Sequence, residues 1–222
     1  MWDYPYGIEV AKFYMGKSHV DPCEESECCN NLWVRQSKYI GYLKKQLNSK
    51  LFGQHLVEDL VVNPINDHIE NNNPSSPLVM SFHGWTGSGK NFVSQIIAKS
   101  LFKKGMNSKF VHIKVATKDF PHKKMLTEYK NELSKHIEKN ARLCERTLFI
   151  FDELHKMPEG LGNTIAPYLD YNVQLDGIDY RKNIFIFLSK AIADEMLYFP
   201  DKEQWFSATG CKTVNKKVTS YL

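Results

Sequence analysis

A chain of 222 residues, 42% apolar and 24% charged, has the size and composition of one α/β domain with short appendages, which excludes a miniature scaffold that folds only with staples. Its net charge of +4 arises from 29 basic and 25 acidic residues mixed along the chain rather than gathered in a stripe, so no nucleic-acid surface is indicated. No run of about 18 apolar residues occurs, so no membrane-spanning helix is expected. Met1 to Tyr6 carry neither a basic nor an apolar leader region, so no secretory signal is read there.

Residues 1–36 have no clear period and form an N-terminal extension holding Cys23, Cys28 and Cys29. That spacing lacks the C-x2-C hooks of structural zinc, so a disulfide cluster or inert thiols are the better readings. With Cys144 and Cys211 the chain has five cysteines, and one must stay free or pair elsewhere. A nucleotide-binding domain is then expected over residues 37–190. Between Ser37 and Ile65 apolar residues recur at helical spacing and predict two helices joined at Gly53. The stretch Asn71 to Pro77 reads as a solvated loop.

Beyond it the pattern changes to short apolar runs alternating with amphipathic segments, as in a parallel sheet with crossover helices. Strands are predicted over Leu78 to Phe82, Phe110 to Val115, Leu148 to Phe151 and Ile184 to Leu188. Helices are predicted after the first three. Phe92, Val93, Ile96, Ile97 and Leu101 mark the buried face of the first, Leu126, Tyr129, Leu133 and Ile137 the second, and Leu161 to Leu169 the third. Unbroken apolar strands fit a sheet covered by helices on both faces. The strand at 184–188 should lie between the first and third.

Gly84-Trp85-Thr86-Gly87-Ser88-Gly89-Lys90 satisfies G-x4-G-K directly after a strand and before a helix, the context a phosphate-binding loop requires. Its glycines let backbone N–H groups surround phosphate oxygens, and Lys90 reaches the β and γ phosphates of ATP. Asn91 stands where Ser or Thr normally gives a hydroxyl to Mg²⁺, and its amide oxygen can also ligate a hard cation. About sixty residues later the third strand ends in Asp152-Glu153 at the sheet edge where such folds bind ligands. Asp152 would hold the Mg²⁺ shell, and Glu153 would orient and deprotonate the attacking water. Ser189 and Lys190 occupy the tip of the fourth strand, where a polar residue would sense the γ-phosphate. A solvated strand end is the favoured reading of Lys190.

These residues resemble the torsin family of AAA+ ATPases. The resemblance rests on Leu51-Phe52-Gly53-Gln54-His55-Leu56, on His83 to Val93 including Asn91, on Val115-Ala116-Thr117 with Phe120-Pro121-His122, on Phe149 to Glu153, on Phe185 to Ser189, on Gly210-Cys211-Lys212, and on the spacing of Cys23, Cys28 and Cys29. It implies an AAA+ P-loop NTPase fold, a three-layer α/β sandwich with a parallel sheet. It also implies a chaperone-like ATPase of the endoplasmic reticulum lumen and nuclear envelope that acts on protein clients. Partners implied are further copies of the chain or a membrane-anchored cofactor that supplies an arginine finger, with only peripheral membrane association. By the same resemblance Phe52 and Gly53 border the adenine pocket, and Lys212 is the second sensor.

Set against the family, a segment on the scale of half a domain is expected between Lys190 and Ala191, as if the chain were an exon-skipped or mispredicted isoform. Residues 191–222 then read as the remnant of a largely missing helical lid. The family's first sensor is an Asn, and Lys190 takes that place. A cation there neutralises phosphate charge but does not align water as an amide does. The strand that pairs with the P-loop strand is expected to be lost, leaving Leu78 to Phe82 as an apolar edge. Cys211 is expected to lack its family partner. The alternative to an active ATPase is an ATP-binding but catalytically inactive interaction module, and a third reading is a chain that folds poorly.

Overall fold

The computed structural model describes residues 27–29, 39–51, 57–171, 174–190 and the backbone of 217–221. Phe52, Gly53, Lys212 and Cys211, and most of the N-terminal extension and lid remnant, lie outside the described residues.

The apolar runs form the strands β1 (Leu78–His83), β2 (Val111–Val115), β3 (Leu148–Asp152) and β4 (Ile184–Ser189), with β5 at Lys217–Tyr221. They make one parallel sheet in the order β2-β3-β4-β1-β5. β4 lies between β1 and β3, as read from the sequence. β1 and β4 are buried at every residue, because both faces of the sheet are covered and each side chain of a central strand meets a helical layer.

The alternation of side chains sends Met80, Phe82, Ile150 and Ile186 into one core. There they meet helices α1 (Tyr39–Lys50) and α3 (Lys90–Leu101) and the π-helical turn Glu58–Val62 that leads into α2 (Asn63–Glu70). Val79, Phe149, Phe151, Phe185 and Phe187 face the opposite core. That core is closed by α4 (Ala116–Asp119), by α5 (Leu126–Leu143) and by the turns that follow β3. Across neighbouring strands Phe149 stacks on Phe185 and Phe151 on Phe187, with ring centroids 5.0 and 5.4 Å apart. At the entry to β3 and β4, the Thr147 N–H donates to Asn183 Oδ1 at 3.0 Å, which satisfies a buried amide and holds the register.

Three expectations are corrected. The sheet keeps a strand beyond β1: β5 pairs parallel with it from Val79↔Lys217 to His83↔Tyr221. β1 is therefore an inner strand, because the last residues of the chain satisfy its free N–H and C=O groups. The helix read over Leu161 to Leu169 is two short pieces, α6 (Gly162–Ile165) and a 3₁₀ turn (Ala166–Leu169), since Pro167 cannot donate the next helical hydrogen bond. Phe92, placed on the buried face of α3, is 40% exposed.

The N-terminal cysteines are tied to the core. Cys29 is disulfide-bonded to Cys144, 115 residues away, with Cα atoms 5.2 Å apart. Cys28 is disulfide-bonded as well. Beside them the buried Glu27 carboxylate accepts from Ser108 Oγ at 2.8 Å and from the backbone N–H groups of Lys109 and Lys104 at 3.0 and 3.1 Å. No helix among the described residues is long and apolar enough to cross a membrane.

Candidate nucleotide site

At the C-terminal edge of the sheet a cavity of about 780 Å³ opens between the loop after β1 and the tips of β3 and β4. The loop from Gly84 to Gly89 needs backbone conformations closed to most residues. Gly87 and Gly89 have φ of 86° and 100°, and a Cβ at Gly89 would come within 3.2 Å of Leu51 Cδ1. Glycine at 89 thus permits both the left-handed turn and the close approach of Leu51. That contact brings the start of the 51–56 segment against the loop.

Lys90 opens α3 and is buried. Its ammonium folds back into the loop, donating to Gly84 O at 2.6 Å, Trp85 O at 2.9 Å and Ser88 Oγ at 3.3 Å. A cation is therefore held inside the glycine loop at a helix start, an arrangement that attracts phosphate. The next residue, Asn91, donates from Nδ2 to Asp152 Oδ2 at 2.5 Å. The two residues expected to share a cation, from α3 and β3, are thus brought together. Their amide and carboxylate oxygens are hard donors that suit Mg²⁺, which takes few protein ligands and fills its shell with phosphate and water.

Glu153 follows β3 with φ 56° and ψ 40°, a left-handed conformation that costs a non-glycine residue on the order of 1 kcal/mol. The twist turns its side chain away from the line of β3. One carboxylate oxygen accepts from Lys156 Nζ at 2.6 Å, the other from the Thr117 hydroxyl. The Lys156 ammonium, then the Thr117 hydroxyl, hold the Glu153 carboxyl below the usual carboxylate range, so it is charged at neutral pH.

The tip of β4 closes the site. Gly84 N–H donates to Ser189 O at 3.2 Å, and Lys190 N–H donates to His155 Nδ1 at 3.3 Å. Lys190 Nζ lies 5.8 Å from the centroid of the Trp85 ring, and Trp85 is 78% exposed.

Of the residues expected at the site, Gly84 to Asn91, Asp152 and Glu153 converge on this edge. Phe52, Gly53 and Lys212 lie outside the described residues. Sequence reasoning gave no role to Thr117, Lys156 or His155. Thr117 was visible only as a family match, and its nearness to Glu153 follows from the register Val115↔Asp152. Lys156 carries a signal in its i, i+3 spacing from Glu153.

Residues 23–151 match the family model described as Torsin, and residues 181–221 the one described as Torsin-1A, C-terminal domain. The chain is 46% identical over 185 residues to a "Torsin-like protein" of Caenorhabditis elegans, covering 83% of this chain and 51% of the relative. It is 39% identical over 168 residues to a "Torsin-like protein" of Drosophila melanogaster, covering 75% and 49%. The chain thus spans about half the length of the curated relatives it matches. The S. cerevisiae Hsp104–ADP complex superposes with a TM-score of 0.52 at 18% identity, covering 72% of this chain and 29% of that one. The Hsp104–casein complex in its extended conformation gives 0.52 at 20%, covering 70% and 29%. At such identity the likeness speaks to the fold, an AAA+ P-loop NTPase.

Proposed function

The chain belongs to the torsin family, and on that premise we propose that it binds and hydrolyses ATP to remodel proteins in the endoplasmic reticulum lumen and nuclear envelope. The observation that carries this reading is the Lys90 ammonium inside the P-loop, with Asn91 in contact with Asp152 across the cavity. The phosphates would replace the Gly84 and Trp85 carbonyls as partners of Lys90, while the loop N–H groups donate to the remaining oxygens. Asn91 and Asp152 would hold Mg²⁺, which when bound neutralises phosphate charge. Glu153 would align a water and take its proton. Each of its oxygens accepts one bond, from Thr117 or Lys156, and keeps a second lone pair that could hold that water.

The lumenal assignment is supported by the family and by the Cys29–Cys144 disulfide, since such bonds persist in oxidising compartments. Further copies of this chain or a membrane-anchored cofactor would supply the arginine finger. Of the lid remnant expected over residues 191–222, Lys217–Tyr221 belong to the sheet as β5, and Lys212, in the segment that precedes β5, would serve as the second sensor.

A second reading is an ATP-binding module without turnover. Two observations favour it: Lys190 stands where the family has an aligning amide, and the Glu153 carboxylate is engaged at both oxygens. Single-turnover ATP hydrolysis, with and without the lumenal domain of a torsin cofactor, separates the two. Turnover abolished by Glu153→Gln supports the ATPase. ATP binding with no turnover in either condition supports the inactive module and overturns the ATPase.

A further inference from the structure

Over residues 114–124 four lysines meet one acidic residue, Asp119. That acid is already engaged: its carboxylate accepts from the Val115 N–H at 2.7 Å and pairs with Lys114 Nζ at 3.4 Å. The next acid, Glu128, stands in the first turn of α5, where it answers the positive end of the helix. Lys118, Lys123 and Lys124 are exposed and form no ion pair among the described residues.

These three cations are carried on a braced loop. Phe120 is buried edge-on against Tyr129, with ring centroids 5.4 Å apart, and the Tyr129 hydroxyl accepts from the His122 N–H at 3.3 Å. The Met125 N–H donates to His122 O at 3.0 Å across the 3₁₀ turn Lys123–Met125. The backbone is thus fixed before a partner arrives, so docking on it has little loop to order. The loop grows out of α4, whose Thr117 shares the Glu153 carboxylate with Lys156. The Lys156 side chain is itself 48% exposed and lines the mouth of the nucleotide cavity. An exposed pair such as Lys156–Glu153 shifts an equilibrium by no more than about five-fold. A carboxylate delivered by the loop acts at high local concentration, so it can take Lys156 from Glu153.

We infer that Lys118, Lys123 and Lys124 dock an acidic segment of another protein, and that a carboxylate of that segment replaces Glu153 as the partner of Lys156. An extended chain fits this surface better than a lipid bilayer does. A contact that spans the loop and Lys156 must enter the cavity mouth, which a strand of peptide can do and a planar membrane cannot. Docking removes one hold on Glu153 and so links the partner to the reaction proposed above. The docking itself needs no nucleotide.

Fluorescence anisotropy of a labelled peptide of alternating Glu and Ser, titrated with the full chain in the absence of nucleotide, tests this. The same peptide with Gln for each Glu is the control. The Glu peptide should bind saturably and lose affinity with added salt, and the Gln peptide should not bind. Replacing Lys118, Lys123 and Lys124 together by Ala should weaken the Glu peptide about ten-fold or more, since each pair contributes up to about five-fold. Lys45→Ala with Lys103→Ala, two exposed lysines on the α1 and α3 side, should leave it within about two-fold. Glu153→Gln frees Lys156 and should tighten the Glu peptide about two- to five-fold, but not beside Lys156→Met. Equal binding of the two peptides, equal losses in the two sets of lysine variants, or an unchanged affinity in Glu153→Gln overturns the inference. Capture of the chain by vesicles of phosphatidylcholine and phosphatidylserine that the triple variant loses, with no binding of the Glu peptide, overturns it in favour of an anionic membrane. With nucleotide absent throughout, none of these failures touches the nucleotide reading, which the ATP titration judges separately. Unfolding temperatures of all variants establish that each is folded.

Discussion

Breaking the Cys29–Cys144 bond should cost this fold a large part of its stability. The bond closes a separation of 115 residues, spanning α1 to α5 and thus most of the nucleotide-binding core. In the chain-entropy account, a loop of that length withdraws about 5 kcal/mol of freedom from the unfolded chain. For a domain of this size each kcal/mol moves the unfolding temperature by about 2–4 °C, so a loss of about 10 °C or more is expected. Cys29 is exposed and Cys144 buried, which allows an internal control. Cys29→Ser removes the cross-link without disturbing the core. If the cross-link is the cause, the double variant Cys29→Ser with Cys144→Ser should be little less stable than Cys29→Ser alone, because the two residues act as one unit. Thermal unfolding followed by circular dichroism measures both. A shift below about 3 °C for Cys29→Ser, or two single losses that simply add in the double variant, would refute the reasoning.

Three further outcomes are expected. Lys156→Met removes one of the two holds on Glu153. Because an exposed ion pair is worth about 0.2–1 kcal/mol, single-turnover hydrolysis should rise up to about five-fold, and a fall instead would mean that Lys156 assists the reaction. Burial, with His136 and Lys114 nearby, pushes the His112 ring down to about 4, so the native state binds fewer protons than the unfolded one. The stabilisation from keeping this ring neutral is complete above about pH 6.5 and is lost as pH falls toward 4. Its size is about 1–2 kcal/mol once discounted for partial solvent access, and His112→Phe, which can still stack on Phe149, should flatten the stability profile over that interval; parallel profiles would contradict the assignment. Phe185→Ala removes a fully buried ring stacked on Phe149 and should cost about 3–5 kcal/mol in urea unfolding, whereas a loss under about 1 kcal/mol would mean that the two-layer packing is wrong.

The inner strands β1, β3 and β4 were legible because burial on both faces writes an unbroken apolar run into the sequence. The phosphate loop was legible because glycine spacing, lysine and flanking periodicity coincide. β5 was not, since Lys217-Val218-Thr219-Ser220-Tyr221 contains one aliphatic residue and acquires its meaning from the edge of β1, far away along the chain. Pro167 marked the break in the third helix, but the apolar spacing on either side concealed it. Cysteine spacing alone does not choose among pairings, so Cys29–Cys144 emerged only with the fold. The hold on Glu153 depends on the parallel register of β2 on β3, which carries Thr117 to the carboxylate, and no local pattern announces that. Lys190 over Trp85 is likewise a contact between two loops whose nearness the sheet order creates.

The central claim is that Gly84 to Asn91 forms a working phosphate cradle. Calorimetric titration of the full chain with ATP and Mg²⁺ tests it most directly, comparing wild type with Lys90→Ala. Saturable binding of one ATP per chain that is lost or weakened at least a hundred-fold in Lys90→Ala is the expected result. Binding unchanged by Lys90→Ala, or no binding by a folded wild type, would contradict it.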